Sequence, residues 1–298
     1  MSAYMNRITR RTFVKGLVAL AVSPIILRTT EAEAREISKL EPTATLDEVV
    51  RYLEKNRIKK INYSELWPSN YPIISFGENH KFNLDEIDIA EHMDIYKRQG
   101  ATHLALELDR EDFSPIVEDF YKCKINGEEL QKILKSRVGS PDSACKLITQ
   151  AKEVGIKAVC MDVWLDSLFN DQSVELRHIL TRNKHMAWVL RDILIKQPQA
   201  RIIAYAGAAH FGYLPAYEPT ATNICPVGTY LSEKGIMTYR VTYAGGPTVN
   251  EETEGLLPET ITKAARKAGF ENETFGVELN EKAAKQNWGN YVIHLPQK

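Results

Sequence analysis

Two copies of the pattern Gly-x-x-His, each directly after a short apolar run, constrain the fold of this 298-residue chain more than any other feature. One copy, Gly77 to His80, follows the run Tyr71 to Phe76. The other, Gly207 to His210, follows Arg201 to Ala206. Short apolar runs are typical of buried parallel strands, whose carboxyl ends meet at one crevice of an α/β sheet. The repeat therefore predicts that two distant segments build one site.

Two further apolar runs end in a carboxylate. Thr102 to Leu106 leads into Glu107, and Lys157 to Met161 leads into Asp162. An ionised group at the tip of a buried strand can reach a ligand while the strand itself stays apolar. We therefore expect both acids to lie at the same crevice as the two histidines.

Strand-like and helix-like segments alternate along the chain, which indicates an α/β protein. Helical spacing is found at residues 46–56, with Thr45 as the N-cap, and again at residues 83–99, 144–154 and 173–196. We predict a three-layer α/β/α fold with a mainly parallel sheet, a helical insertion and a small β-containing C-terminal extension.

The same pattern suggests a division of the chain into segments. We expect an export signal at residues 1–34, a helical lead-in at 35–66, an α/β core domain at 67–243 and a C-terminal extension at 244–298. Residues 111–143 fit the α/β alternation less regularly, with two helices and a Gly-Ser-Pro-Asp break. We expect this insertion to form a helical cap over the crevice.

The first 34 residues have the three-part composition of an export signal. Thr9 to Lys15 resembles the twin-arginine export motif, the apolar stretch Gly16 to Leu27 is too short to cross a bilayer, and Ala32-Glu33-Ala34 is a small-x-small cleavage pattern. We expect the twin-arginine machinery as a partner, a periplasmic or otherwise extracytoplasmic mature protein after cleavage near Ala34, and no transmembrane segment in that mature chain. An uncleaved membrane anchor or a basic amphipathic arm is the alternative.

Charge and motif content exclude several classes of function. The leader carries five of the 38 Lys and Arg residues and two of the 39 Asp and Glu residues, so the mature chain has a net charge near −4 and no basic stripe for nucleic acid. A small-molecule or peptide substrate is expected instead. The four cysteines have no C-x-x-C spacing, their pairing is not determined by the sequence, and neither a Gly-x-Ser-x-Gly elbow nor a Walker loop occurs.

The strand-end histidines are the strongest candidates for chemistry. Neutral imidazole is the commonest metal ligand, and it titrates near neutral pH. Glu78 lies two residues before His80, so in an extended segment both side chains point the same way. Glu78 and His80, with Glu107 and His210, are therefore candidate ligands of a divalent metal, or candidate water-activating groups without one. The alternative for Glu78 is that it caps the following helix or pairs with a lysine.

A second group of candidates lies in the long helix predicted at residues 173–196. An arginine such as Arg182 can clamp a carboxylate or phosphate of a substrate through two hydrogen bonds, and Asn183 is its neighbour. The alternative is a solvated helix face. Tyr213, three residues after His210, has a hydroxyl able to stabilise a bound oxyanion, although a tyrosine in this position more often packs.

Taken together, several of these motifs resemble the erythromycin esterase, ChaN and Tiki/TraB superfamily. The resemblance rests on residues 77–80, the strand 104–107, Arg182-Asn183-x-x-Met186-Ala187 and residues 207–210. It implies a three-layer α/β domain, in a superfamily whose members are metal-dependent proteases, esterases or haem-binding proteins. The resemblance also implies that the two histidines act as metal ligands or bases, and that Arg182 and Asn183 position the substrate.

The leading hypothesis is an exported hydrolase that cleaves an ester or amide bond with a divalent metal ion of unknown identity. The expected metal ligands are Glu78, His80, Glu107 and His210, the expected catalytic residues are these four and Arg182, and the expected substrate-binding residues are Asp162, Asn183 and Tyr213. A haem- or metallocofactor-binding protein of the ChaN type, with a crevice histidine or tyrosine as axial ligand, is the alternative. A scaffold with a vestigial site is a third possibility.

Overall fold

Short apolar runs form a seven-stranded sheet in the part of the chain that the structure describes. This structure is a computed structural model, and it describes residues 40, 44–78, 84–135, 141–163, 172–211, 226–245, 257–279 and 289–296. For Glu78 and residues 172–180, 208–209 and 257 only the backbone is described. All of these residues belong to one folded unit, residues 38–298.

The strands follow the predicted runs closely. They are β1 (Ile73–Glu78), β2 (His103–Asp109), β3 (Lys157–Asp162), β4 (Ile202–Gly207), β5 (Thr238–Ala244), β6 (Phe275–Glu278) and β7 (Tyr291–His294). Their order across the sheet is β3-β2-β4-β1-β5-β7-β6. Neighbouring strands pair in parallel except β6 and β7, which are antiparallel. The prediction of a mainly parallel sheet is confirmed.

Helices cover both faces of the sheet. They are α1 (Leu46–Asn56), α2 (Leu84–Glu91), α3 (Met93–Arg98), α4 (Arg110–Tyr121), α5 (Gly127–Lys135), α6 (Pro141–Glu153), α7 (Gln172–Lys196), α8 (Ala208–Phe211), α9 (Val227–Ser232) and α10 (Leu257–Lys267). Helices α2 to α6 pack on one face, around a core that includes Phe76 and Leu104. Helices α7 and α9 pack on the other face around Ile73 and Ala204, beside α1 and α10. The three-layer α/β/α prediction is therefore confirmed.

Local sequence signals explain where helices start and stop. Helix α1 begins after Thr45, whose hydroxyl accepts a hydrogen bond from the Glu48 N–H at 3.4 Å, while the Glu48 carboxylate accepts one from the Thr45 N–H at 2.7 Å. This reciprocal capping box satisfies two backbone donors that the helix leaves open. Gly100, with φ of +94°, ends the predicted helical run as expected. Within the described ranges no helix combines the length and apolar character needed to cross a bilayer.

Two predicted segments have a different place in the fold from the one expected. Helices α4 and α5 of the predicted cap bury Phe113, Val117 and Leu130 in the same core as the sheet, so they cover a sheet face rather than the crevice. The predicted C-terminal extension contributes β6 and β7 to the main sheet, and β7 pairs in parallel with β5. Residues 1–34, including the predicted export signal, lie outside the described residues.

The chain path makes the carboxyl end of β4 a switch point of the sheet. The connections after β1 and β2 run over one face of the sheet, and the connections after β3 and β4 run over the other. Strand β4 lies between β1 and β2, so connections leave neighbouring strand ends in opposite directions. Ligands of open α/β sheets bind at such switch points, outside the carboxyl ends of the strands.

Candidate active site

The strand order brings the two Gly-x-x-His segments side by side. Strands β1 and β4 pair in parallel, with Gly77 opposite Ala206 and Glu78 opposite Gly207. The second motif therefore begins one residue further along than the first, on the adjacent strand. Their predicted closeness is confirmed for the backbone of Gly77, Glu78 and Gly207, whereas His80 lies outside the described residues.

Arg182 links two of the predicted acids. Its Nε donates to the two Asp162 carboxylate oxygens at 2.9 and 3.2 Å, and its Nη2 donates to Asp162 Oδ2 at 2.5 Å and also to Glu107 Oε1. The bidentate geometry with Asp162 uses the planar fork of the guanidinium. Helix α7 thus ties together the ends of β2 and β3.

The His210 ring lies between Glu107 and Asn183, the residue that follows Arg182 on helix α7. Its Nε2 lies 3.0 Å from Glu107 Oε1, and its Nδ1 lies 2.5 Å from the amide oxygen of Asn183. The ring is buried, as is Asn183. Since each ring nitrogen faces an oxygen acceptor, an imidazole that carries both protons donates on both sides.

Glu107 is the centre of this network. Besides Arg182 and His210, it accepts a hydrogen bond from the Gly207 backbone N–H at 2.6 Å through Oε2. Burial alone would raise the pKa of Glu107, but the hydrogen bond and charge of His210, the charge of Arg182 and the Gly207 N–H outweigh burial and lower the pKa to about 2. Glu107 is therefore an ionised carboxylate at neutral pH.

An irregularity in strand β2 accompanies this arrangement. The pairing of β2 with β3 shifts between Leu106 and Asp109, so that two β2 residues stand opposite one β3 residue. Such a bulge bends the strand and re-aims a side chain, and bulges are over-represented next to active sites. Here the extra residue lies in the stretch that contains Glu107.

The network is closed on one side and open on the other. The Asp162 side chain is fully buried, whereas those of Glu107 and Arg182 keep 13% and 16% of their surface exposed. Burial works to lower the pKa of Arg182, but hydrogen bonds and charges from Asp162 and Glu107 outweigh it and raise the pKa. A permanent positive charge and an ionised carboxylate therefore lie together at the crevice.

Five of the eight predicted site residues come together in this network: Glu107, Asp162, Arg182, Asn183 and His210. Glu78 contributes its backbone to β1, while its side chain, His80 and Tyr213 lie outside the described residues. Asp162 and Asn183 are both buried, Asp162 against Arg182 and Asn183 against His210. Their substrate-binding role stays a prediction.

One residue of the network was not among the predicted site residues. The backbone N–H of Gly207 donates a hydrogen bond to the Glu107 carboxylate. The sequence signal that points to it is only its place at a strand end beside a partner strand.

The described donors do not fit a divalent cation. Both oxygens of Glu107 accept hydrogen bonds, both nitrogens of His210 face oxygen atoms, and the Arg182 cation already lies against Glu107 and Asp162. A metal ion there would meet a fixed positive charge and would have to displace these bonds. Among the described residues no three His, Cys, Asp or Glu side chains are arranged to hold a metal. The predicted metal ligation is therefore not supported at Glu107 and His210.

Comparison with known proteins gives a likeness in structure alone. No protein-family model and no curated protein sequence matches the chain. Among solved structures, the chain is similar to the erythromycin esterase EreC in its open conformation, with a TM-score of 0.53 and 12% identity over 78% of this chain and 91% of that chain.

Two other solved structures are less similar. One is the type III effector HopBA1, with a TM-score of 0.49 and 11% identity over 85% of this chain and 94% of that chain. The other is the haem-binding ChaN of Campylobacter jejuni, with a TM-score of 0.42 and 11% identity over 61% of this chain and 84% of that chain. Identities this low establish the fold alone. The likeness to EreC therefore shows that the two chains share a fold.

Proposed function

We propose that this protein is a hydrolase of ester or amide bonds. The observation that carries the proposal is the pair formed by His210 Nε2 and Glu107 Oε1 at 3.0 Å, held at the carboxyl ends of β4 and β2. A histidine fixed against a carboxylate, beside a permanent positive charge, can support acid–base catalysis of acyl transfer.

The pKa of Glu107 decides its role. A carboxylate with a pKa of about 2 is too weak a base to take a proton from water at neutral pH. Glu107 therefore orients His210 and balances its charge, and His210 is the group that carries the proton. In this mechanism the departing alcohol or amine approaches the His210 Nε2–H beside Glu107 Oε1 and takes its proton, and the bond of that N–H to Glu107 is given up in the same step.

The attacking water needs a separate base. We assign this role to His80, because Gly77 and Glu78 place the start of its motif beside Gly207. In the proposed sequence, water adds to the carbonyl carbon as its proton passes to His80. The bond to the leaving group then breaks as that group takes the proton of His210. Arg182, whose side chain keeps 16% of its surface exposed, stabilises the negative charge that develops on the carbonyl oxygen.

A panel of p-nitrophenyl esters and fluorogenic peptides tests this proposal on the mature chain. His210→Ala and His80→Ala are expected to lower kcat about 100-fold or more, the usual range for loss of a general acid or base. His103→Asn is the matched control, because His103 is also buried but lies at the amino end of β2. Undiminished turnover in His210→Ala, or an equal loss in His103→Asn, would contradict the assignment.

The same preparation separates this mechanism from the metal and haem alternatives. Because the described donors do not fit a cation, we expect activity to survive treatment with EDTA; loss on chelation and recovery with a divalent ion would overturn the metal-free mechanism. A haem iron bound to His210 would have to replace the bond of its Nε2 to Glu107 or of its Nδ1 to Asn183, so a haem ligated by His210 is not expected. A Soret band on adding haemin, with no hydrolysis of any substrate, would favour the binding protein instead.

We also propose export through the twin-arginine pathway, supported by the motif Thr9 to Lys15 and the cleavage pattern ending at Ala34. The test is cell fractionation of the full chain. Replacing Arg10 and Arg11 together by Lys should leave the protein uncleaved and in the cytoplasm, whereas Arg28→Lys should not. Normal export of the double variant would remove this proposal.

A further inference from the structure

The two edges of the sheet are covered very differently. At the β6 edge, Ile58 exchanges two backbone hydrogen bonds with Gly276, both at 2.9 Å, and the Leu40 N–H donates to the Glu278 carbonyl at 3.3 Å. Segments of the same chain therefore act as further strands there. The other edge strand is β3.

The direction of the backbone groups on β3 follows from its pairing with β2. The Lys157 N–H donates to the Thr102 carbonyl at 2.9 Å, so residues 157, 159 and 161 turn their backbone groups toward β2. Residues 156, 158 and 160 must turn theirs outward. An outward row of donors and acceptors is a template for another strand.

One side chain already occupies part of this template. The Tyr121 hydroxyl, from α4, donates to the Ile156 carbonyl at 2.6 Å and accepts from the Ala158 N–H at 3.0 Å. It thus makes the two bonds that a neighbouring strand would make. The next outward groups are the Ala158 carbonyl and the Cys160 N–H, and no residue in the described part of the chain hydrogen-bonds to them.

A groove of about 830 Å³ lies along this edge, between α4 and α7. Its size falls within the range of ligand-binding clefts. Its lining combines the backbone of β3 with the side chains of Ser114, Val117 and Trp188, and it extends to Val163, which follows Asp162 of the active-site network. Trp188 is 52% exposed, unusual for so large an apolar ring.

We propose that an extended polypeptide segment binds in this groove as an added strand on β3. Its backbone would pair with the Ala158 carbonyl and the Cys160 N–H, and an apolar side chain would lie on Trp188. The seven residues from Lys157 to Val163 span about 20 Å, enough for a segment of about six residues. This site does not depend on the proposed hydrolytic function, although its far end approaches the active-site network.

The flanking helices decide between a peptide and a second copy of the protein. Helices α4 and α7 line both sides of the groove. A single extended chain needs only the width of one strand, about 5 Å, whereas a second copy would bring its sheet together with the helices that cover it. The groove therefore favours an isolated strand.

Amide hydrogen exchange measured by NMR tests the proposal directly. The probe is an acetylated, fluorescein-labelled hexapeptide of alternating Val and Ser, whose binding is followed by fluorescence polarisation. With the peptide bound, exchange of the Cys160 N–H is expected to slow at least about tenfold, while the N–H groups of Ala158 and Val159, already paired with Tyr121 and β2, stay unchanged. Failure of the peptide to bind, or binding that leaves Cys160 exchange unchanged, would overturn the proposal.

Two variants check the location of the site. Ser114→Trp fills the groove and Trp188→Ala removes its apolar platform, and each should weaken binding about tenfold. The matched controls are Ser232→Trp, at an exposed position of α9, and Ile195→Ala, an exposed apolar residue two turns along α7. Equal binding by all four variants would exclude the groove.

N-methylation of the peptide separates strand addition from simple apolar binding. Alternate amides of an added strand face β3, so methylating one set should abolish binding and methylating the other set should be tolerated. Equal tolerance of both sets would rule out a strand. Glu107→Gln, expected to abolish hydrolysis, should leave peptide binding unchanged, so the two proposals can fail separately.

Discussion

Replacing Glu107 by Gln removes one charge from the centre of the network while keeping its shape. The carboxylate accepts hydrogen bonds from Arg182, His210 and the Gly207 N–H, and these bonds lower its pKa from 4.5 to about 2. That difference corresponds to about 3 kcal/mol of stability for the ionised form.

The sign of the pH dependence follows from the direction of the change. Because the folded-state pKa lies below the unfolded value, the stability is fully present above about pH 4.5 and is lost as the pH falls toward 2. About 2 kcal/mol of it is lost between pH 7 and pH 3. Glu107→Gln lacks this contribution at every pH. The difference in unfolding free energy between wild type and variant should therefore be about 2 kcal/mol smaller at pH 3 than at pH 7.

Urea unfolding followed by circular dichroism, at several pH values between about 3 and 7, measures this difference. Glu118→Gln is the control, because Glu118 pairs with Lys122 on the surface with 67% of its side chain exposed, and exposed pairs contribute little. If the difference between wild type and Glu107→Gln is the same at pH 7 and pH 3, the network does not hold Glu107 ionised, and its assignment as the orienting carboxylate is wrong.

Three further substitutions follow from the structure. Arg182→Ala leaves the Asp162 carboxylate buried without its cation and should cost about 3–5 kcal/mol in urea unfolding, much of it recovered by adding Asp162→Asn; no recovery would mean that the two do not interact. Thr45→Ala removes the cap of helix α1 and should lower stability by about 1 kcal/mol. Unchanged activity would show that the effect is confined to that helix. Gly245→Ala places its methyl group against the backbone carbonyl oxygen of Leu295 at an unfavourable φ of +108°, so it should lower the melting temperature more than Gly235→Ala, which has φ of +74° and open space; equal effects would show that the contact relaxes.

Expectations for Arg182 changed once its contacts were known. The sequence places it on a long helix and allows either a substrate clamp or a solvated face. In the structure its guanidinium is committed to two carboxylates, one of them fully buried. Loss of Arg182 should therefore affect stability as well as catalysis, where an exposed clamp would affect catalysis alone.

The periodicity of apolar residues was sufficient to predict individual strands and helices. The apolar runs before Glu107, Asp162 and Gly207 became strands, and the helix at residues 46–56 starts after Thr45. These features depend on neighbours within a few residues, where the alternation of a strand or the repeat of a helix is written directly in the residue order.

Periodicity does not predict which distant segments of the chain pair with each other. The order of the strands, the shift in register beside Glu107 and the membership of β6 and β7 in the main sheet each depend on which apolar surfaces meet. Residues 111–143 lack the regular α/β alternation of their neighbours, but burial of Phe113 and Leu130 against the sheet makes them part of its covering layer.

The sequence alone identified the groups able to do chemistry, because a polar residue at the end of a buried strand lies where it can reach solvent or a ligand. Folding decided which of them touch: β4 inserts between β1 and β2, which brings Gly207 beside Glu78 and puts His210 within reach of Glu107. Contacts between residues a hundred positions apart depend on the packing of whole layers, and no local pattern encodes that packing.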